Sequence, residues 1–325
     1  MTAEAADVLP ATAEERDRSA IDWLLRADEP AVRFLTRTDV LGQKRPRDAS
    51  GVLDGPKVRR LFADQRADGG FGVHAYQKWT GAHWRLVSLV ELGIPRGEPR
   101  ALAAADTVLA WLLSPHRSYP RMINGLPRTE ASQEGNALAV CVRLGMADDA
   151  RVRRLAESLI AWQWPDGGWN CDPRASGRRS SFNETLPAMW GLHEFAVATR
   201  EAQAAEAADR AAELFLEHRI FRSLKTGEPI HPNVVQIHYP PYWHYDFLQA
   251  LLILGRMDRL RDRRTDDAFA LLGSLRRADG RWAPNRSWWR PPGSGGSNVE
   301  VVDWGRLGPS EMLTLNALRV LRMRR

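Results

Sequence analysis

The chain has 325 residues, of which 44% are hydrophobic and 26% charged, an ordinary composition for a folded protein with a sizeable core. Its 46 lysines and arginines exceed the 40 acidic residues and give a formal net charge of +6, but no nucleic-acid-binding motif accompanies the scattered arginines. Nucleic acid is therefore not an expected partner. No apolar run approaches the roughly 20 residues that a transmembrane helix needs, and two cysteines exclude a disulfide framework.

The start of the chain differs in composition from the rest. Residues 1–11 are rich in alanine and acidic side chains and lack the basic and apolar stretches of a signal peptide. We expect them to form a mobile tail on a cytoplasmic protein. Residues 12–325 are expected to form a single domain, because one repeating pattern runs through them.

The repeating pattern is marked by three copies of a short motif. Gln65–Phe71 reads QRADGGF, Gln163–Trp169 reads QWPDGGW, and a degenerate copy, Arg276–Trp282, reads RRADGRW. Each copy follows an amphipathic helical stretch. An Asp-Gly step favours a turn with positive φ that ends a helix, and the aromatic residue can then pack on a neighbouring helix. The glutamine can bond to backbone groups that the helix end leaves free.

These motifs divide the chain into helix pairs, in which the second helix is apolar nearly all round and is therefore predicted to be buried as an inner ring. We predict an all-α fold, an (α/α)6 toroid of six helix hairpins, and no strand. The predicted pairs span residues 12–25 and 30–41, 58–65 and 80–92, 101–113 and 133–144, 152–163 and 183–198, 201–217 and 242–254, and 266–276 and 309–321.

Long loops connect the first helix to the second in four of these pairs. Long loops without structure of their own are usually functional or disordered. All of them fall at the end of the predicted toroid where the inner helices begin, so the sequence places the candidate site there. The four loops are residues 116–132, 165–182, 220–241 and 283–308.

The motifs Gln65–Phe71 and Gln163–Trp169 resemble the QW repeats of squalene–hopene cyclases and related class II terpene cyclases, whose helix-pair toroid also occurs in the β subunits of protein prenyltransferases. The resemblance implies a toroid with an aromatic-lined cavity for an isoprenoid. The chain lacks the Asp-x-Asp-Asp acid motif and the Asp-Asp-x-x-Asp magnesium motif of such enzymes. The prenyltransferase zinc ligands correspond to Ser181-Phe182-Asn183 and His244, so no zinc site is implied.

Five residues are candidates for catalysis. His244 and Asp246 come first, because a histidine can act as a general base near neutral pH and a carboxylate can orient it. Their spacing disfavours direct contact on a regular helix; the alternative is that His244 caps a helix and Asp246 pairs with an arginine. Glu134 and Glu184 either stabilise helix N-termini or are buried acids with raised pKa values. His83 is a catalyst or a hydrogen-bonded core residue.

Aromatic and polar residues near the starts of the inner helices are candidates for substrate binding. They are Trp79, Trp84, Asn183, Tyr239, Tyr242, Trp243, Tyr245, Trp288, Trp289, Trp304 and Glu311. Arginines such as Arg85, Arg128, Arg286 and Arg290 could hold an anionic head group there. Cys171 and nearby histidines could offer zinc ligands, but no paired ligand motif supports a metal, and no cofactor is predicted.

Three functions remain open from the sequence. The first is a terpenoid-cyclase-like enzyme for an isoprenoid or other hydrophobic substrate, whose carbocations aromatic rings would stabilise. The second is a carbohydrate-active enzyme resembling polysaccharide lyases, with Asn183, His244 or His238, and Tyr239 or Tyr245 as its polar set. The third is a non-catalytic toroid that binds a lipid or a peptide.

Overall fold

The computed structural model describes residues 12–44, 46–115, 117 and 120–325. Within these residues helices predominate, so the protein belongs to the all-α class. None of the described helices combines the length and the apolar composition needed to cross a membrane. The N-terminal tail predicted for residues 1–11 lies outside the described residues.

Every segment predicted to be helical contains an α-helix. A π-helical turn, Thr36–Val40, extends the second helix, and short 3-10 helices cover Arg47–Asp54, Pro232–Val235 and Arg263–Thr265. The α-helices are α1 (Ala13–Leu25), α2 (Pro30–Leu35), α3 (Pro56–Phe62), α4 (Ala82–Glu91), α5 (Pro99–Leu112), α6 (Ala131–Leu144), α7 (Ala150–Trp162), α8 (Phe182–Thr199), α9 (Ala202–Glu217), α10 (Phe247–Arg256), α11 (Asp266–Ser274) and α12 (Glu311–Arg324).

The largest departure from a predicted boundary is the start of α10. The sequence places it at Tyr242, whereas the helix begins at Phe247. Asp246 is its N-cap, with an extended backbone and a side chain that accepts a hydrogen bond from the backbone N–H of Gln249. The five residues before Phe247 therefore belong to a loop rather than to α10, and this loop contributes to the site described below.

The expectation that the chain has no strand is wrong at one place. Strands β1 (Arg121–Ile123) and β2 (Leu126–Arg128) pair as a short antiparallel hairpin. The turn between them is Asn124-Gly125, and both residues have positive φ, 51° and 75°. An Asn-Gly pair is a strong hairpin signal, so the sequence carried this information within a loop.

The second helix of each predicted pair is the more buried one. Helix α4 is buried along its whole length, whereas α7 buries only the side that carries Val152, Leu155, Ala156 and Leu159. The buried helices also contact one another: α6 packs on α8, α10 on α12, and α12 on α2 and the π-helical turn.

The repeated motif has the same geometry in each copy. The side-chain amide of Gln65 donates to the carbonyls of Gly69 at 2.9 Å and of Arg100, on α5, at 2.8 Å. Gln163 makes the equivalent pair of bonds to Gly167 and to Ala207, on α9, both at 2.8 Å. Each glutamine therefore ties its own turn to the next outer helix along the chain, a contact that the sequence did not indicate.

In the degenerate third copy, Arg276 takes the place of the glutamine and joins its own turn to α1, the first helix of the chain. Arg276 donates to the carbonyl of Gly280 at 3.1 Å and forms an ion pair with Asp17, on α1, at 2.7 Å. Gly280 has a φ of 83°, and a Cβ at this position would lie 2.2 Å from the carbonyl oxygen of Arg16. The last repeat is therefore docked on the first helix.

Candidate active site

Two adjoining cavities lie between the even-numbered helices. The wide cavity, of about 840 Å³, is lined by residues near the C-terminal ends of α2, α4, α6, α8, α10 and α12. The chamber, of about 40 Å³, is lined by residues of α4, α6, α8, α10 and α12 and of the loop before α10. Both are lined by Glu91, Leu252 and Arg256, so a thin layer of side chains separates them. A volume of about 40 Å³ has room for no more than a few water molecules.

The other side of the chamber is closed by aromatic side chains. The indole of Trp79 stacks on Tyr242 with ring centroids 3.7 Å apart, and His244 lies between the rings of Trp243 and Trp288 at 3.9 and 3.8 Å. We call this set the aromatic plug. It consists of Trp79, Tyr239, Tyr242, Trp243, His244, Trp288, Trp289 and Trp304.

Most of the predicted substrate-binding residues belong to the aromatic plug. The indole N–H of Trp79 donates to the carbonyl of Trp288 at 2.9 Å, and that of Trp289 donates to the carbonyl of Tyr239 at 3.0 Å. These rings therefore hold the loops together and bury one another. Of the predicted aromatic residues, only Tyr239 and Tyr242 line the chamber.

The histidine that pairs with Asp246 is His238. Its Nδ1 lies 2.8 Å from Asp246 Oδ2, and the two side chains are 2% and 0% exposed. The Asp246 carboxylate also accepts the backbone N–H groups of His238 at 3.1 Å and of Gln249 at 2.9 Å. The pairing of Asp246 with an arginine, left open from the sequence, is wrong, and the histidine that contacts the Asp246 carboxylate is His238 rather than His244.

This arrangement fixes the chemistry of the His238 ring. With Nδ1 directed at a carboxylate, Nε2 is the atom that can accept a proton. Nε2 accepts a hydrogen bond from the side-chain amide of Gln249 at 3.1 Å, and both residues line the chamber. The Gln249 amide must turn away before Nε2 can take a proton from a ligand. The dyad was missed because His238 is eight residues before Asp246, in an irregular loop where helical spacing gives no information.

A buried carboxyl group, that of Glu300, contacts Tyr242, which lines the chamber. The Tyr242 hydroxyl donates a hydrogen bond to it, and its Oε1 accepts the backbone N–H of Val301 at 2.6 Å. Glu300 is 3% exposed, and burial raises its pKa from the ordinary 4.5 to about 8. It is therefore mainly a neutral acid at pH 7. The sequence signal was a single glutamate inside the apolar run Val299-Glu300-Val301-Val302.

Two further polar groups in the chamber wall lack partners among the described residues. They are the hydroxyl of Tyr239 and the side-chain nitrogen of Asn136. Burial raises the pKa of Tyr239 well above its ordinary value, so its hydroxyl stays protonated. A buried polar group without a partner is costly, so the chamber offers hydrogen bonds to a guest, whether water or ligand.

Glu134 and Glu184 lie elsewhere, beside a cleft of about 500 Å³ at the start of α6. Glu134 forms an ion pair with Arg117 at 2.6 Å, yet burial raises its pKa to about 7. Glu184 accepts the backbone N–H of Ser132 at 2.9 Å, and burial raises its pKa as well. Glu184 thus caps the neighbouring helix α6, a contact between helices that sequence periodicity does not reveal.

The remaining predicted residues have packing roles outside the chamber. His83 is buried with its ring 4.6 Å from that of Trp84, and burial lowers its pKa to about 3, so it is neutral. Asn183 accepts the backbone N–H of Tyr245 at 2.9 Å, and Glu311 forms an ion pair with Lys57 at 3.0 Å.

Arg85 was expected to bind an anionic head group where the inner helices begin. Instead it is buried, and its guanidinium donates to the carbonyls of Thr80, Leu61 and Ala63 at 2.7 to 3.1 Å. This part of the expectation is wrong, because the guanidinium closes the end of α3 rather than facing a cavity.

Removing the Glu300 carboxyl should change how stability depends on pH. Because its folded pKa, about 8, exceeds 4.5, its protonation stabilises the fold below about pH 4.5, and this contribution is lost as pH rises through about 8. As pH rises, the free energy of unfolding should therefore decrease less steeply in Glu300→Gln than in the wild type. The two slopes should differ by up to about 1.4 kcal/mol per pH unit. Urea unfolding at several pH values between 5 and 9 measures this slope, with the exposed Glu157→Gln as control. Parallel curves for wild type and Glu300→Gln would contradict the assignment.

Comparison with known proteins does not assign the chain to a family. The chain has no significant match to a protein family, to a curated protein or to a solved structure.

Proposed function

We propose that the twelve helices close into an (α/α)6 toroid, with the even-numbered helices as its inner ring. Two observations support closure. All six even-numbered helices contribute residues to the wall of the wide cavity. The last repeat is also joined to the first helix through Arg276 and Asp17, as a ring requires.

We propose further that the protein is a terpenoid-cyclase-like enzyme that acts on an unsaturated hydrophobic substrate, such as an isoprenoid, in the chamber. The observation that carries this proposal is the presence of an acid and a base in one apolar wall. Tyr242, bonded to the neutral acid Glu300, and His238, bonded to Asp246, both line the chamber. Glu300 would take the place of the missing Asp-x-Asp-Asp acid.

The reaction follows from these two groups. The Tyr242 hydroxyl turns from Glu300 towards the substrate and gives its proton to one alkene carbon. The proton of neutral Glu300 passes to the Tyr242 oxygen, so that a C–H bond forms and the π bond breaks. The resulting cation, or the ring that forms from it, lies among the π faces of Trp190, Tyr239 and Tyr242. His238 Nε2 then removes a proton from a neighbouring carbon and a new double bond forms. The product is an isomer of the substrate, and proton exchange with solvent restores Glu300 and His238.

The chamber must enlarge for this chemistry. Its present volume of about 40 Å³ cannot hold an isoprenoid. The side chains that would have to move belong to the aromatic plug. Apart from Trp79, which lies in the loop between α3 and α4, the plug is carried by the long loops 220–246 and 283–308 rather than by α-helices. Loops open at lower free energy than packed helices do, so the chamber is expected to enlarge by movement of the plug when the substrate binds.

Product analysis tests the proposal. Purified protein is incubated with squalene and with prenyl diphosphates, and isomeric products are sought by mass spectrometry. Glu300→Gln should lower turnover by about 10² to 10⁴-fold, the usual contribution of a general acid. Glu157→Gln, an exposed change, should leave it intact. No product from any of these substrates, or equal turnover in Glu300→Gln, would reject the proposal.

A second candidate, a carbohydrate-active enzyme, is favoured by the cleft beside Glu134. Its wall combines Trp111 and Trp162 with Arg117, Arg121 and Arg128, a set suited to acidic sugars. The lyase-like set named from the sequence does not meet there, because Asn183 bonds to Tyr245 instead. Oligouronides added to the same assay test this candidate, and Glu134→Gln should then be the inactive variant.

A further inference from the structure

The wide cavity differs from the chamber in its volume and in the residues that line it. Its volume of about 840 Å³ is in the usual range of ligand pockets. Part of its wall is apolar, and Val197 in that wall is 68% exposed. The apolar lining residues are Phe34, Leu35, Val90, Ile94, Val142, Val197, Ala198, Leu252 and Met323.

Charged side chains occupy the floor and side of the cavity. Glu91 accepts hydrogen bonds from Arg143 at 3.0 Å and from Arg256 at 3.1 Å. Arg319 binds Asp39 at 2.6 Å, and Arg143 also pairs with Glu194 at 3.2 Å. With Arg96 the cavity holds four arginines against the three carboxylates of Asp39, Glu91 and Glu194, and so has an excess of positive charge.

Two of these arginines have N–H donors for which the described residues provide no acceptor. Nη1 of Arg256 is buried without a hydrogen-bond partner among the described residues, and a carboxylate oxygen of Glu194 lies 3.9 Å away, beyond hydrogen-bond distance. Arg96 is exposed at the cavity wall, and none of the described residues pairs with it. A buried guanidinium N–H without an acceptor is costly, and an anionic oxygen entering the cavity would supply one.

We propose that the wide cavity binds an amphiphile with an apolar body and an anionic head group, a carboxylate or a phosphate. The head group is attracted by Arg96 and Arg256, and the Arg256 guanidinium turns towards it so that the buried Nη1 donates a hydrogen bond. The body covers the apolar wall around Val197. The negative ends of the surrounding helices oppose an anion, so these arginine side chains supply the attraction. The link to catalysis, that this ligand is the substrate entering beside Glu91, rests on the proposed function; binding itself does not.

Calorimetric titration of the full-length protein with three twelve-carbon ligands tests the proposal. Dodecanoate and dodecyl phosphate carry the two possible head groups, and dodecanol carries none. At least one anionic ligand should bind about tenfold or more tightly than dodecanol, the effect of a charge-assisted hydrogen bond. The tighter of the two anions identifies the head group, and its affinity should fall as salt is raised.

Variants then locate the site. Arg256→Lys keeps a cation beside Glu91 but removes Nη1, and should weaken the anionic ligand by about tenfold. Arg96→Gln, at an exposed position that does not threaten folding, should weaken it in the same direction, whereas Arg306→Gln, exposed in the last loop, should not. Equal binding of dodecanol, no binding of any of the three, or unchanged affinity in both Arg256→Lys and Arg96→Gln would overturn the proposal. Glu300→Gln should bind the ligand as the wild type does. Binding by the wild type without turnover would reject only the proposed reaction.

Discussion

Replacing Gly135 with alanine is expected to destabilise the fold by about 3 kcal/mol, the upper end of the usual cost of overpacking. Gly135 is on α6, and a Cβ there would lie 2.4 Å from the backbone nitrogen of Ala188 and the carbonyl carbon of Pro187, on α8. On the opposite side, Gly191 has the same relation to the carbonyl oxygen of Gly135, at 2.4 Å. Because backbone cannot rotate away as a side chain does, the two helices would have to separate.

A matched control is available on α11. Gly273 is also helical, but a Cβ there would meet nothing within 4 Å. Gly273→Ala should therefore stabilise the protein by up to about 1 kcal/mol, because alanine favours the helix over glycine. Urea unfolding of both variants measures the two effects. If Gly135→Ala were as stable as Gly273→Ala, the close approach of α6 and α8 would be disproved.

Replacing Asp246 with alanine is expected to cost about 3 to 5 kcal/mol, as when one partner of a buried pair is removed. The change removes the N-cap of α10 together with the acceptor of His238 Nδ1 and of two backbone N–H groups. The two backbone N–H groups would lose this acceptor, and His238 Nδ1 would keep only the carbonyl of Gln236, at 3.4 Å. Thermal or urea unfolding measures the loss directly.

The control for this change is Asp149, which caps α7 by accepting the N–H of Arg151 at 2.8 Å. It is partly exposed, so Asp149→Ala should cost only about 1 kcal/mol. Asp246→Asn keeps a capping oxygen and should recover part of the stability. A loss in Asp246→Ala no greater than in Asp149→Ala would show that the His238–Asp246 contact contributes nothing.

The positions of the helices were readable from the sequence because their signals are local. Apolar periodicity, Asp-Gly turns and capping residues place each helix within a few residues, and the error at α10 arose where Tyr242 lies in a loop of irregular backbone. The Asn124-Gly125 hairpin was also a local signal, hidden in a long loop.

The site was harder to predict because its contacts join distant parts of the chain. The sequence named Asp246, Tyr239 and Tyr242 correctly as residues of one region, but chose His244 over His238 as the histidine, and overlooked Glu300. The assumption that aromatic residues at helix starts surround open space also failed, since they fill that space with one another. How far side chains collapse onto each other depends on packing, which no single segment encodes.

The contact between the third repeat and α1 has a consequence for how the protein unfolds. In linear repeat proteins the terminal repeats have a neighbour on one side only, and they fray first. Here the ion pair of Arg276 with Asp17 and the close packing of Gly280 on Arg16 give the terminal helices neighbours on both sides. In the proposed toroid the array has no free edge from which melting can spread, so its helices should exchange their amide protons with solvent mainly through one concerted opening of the helical array.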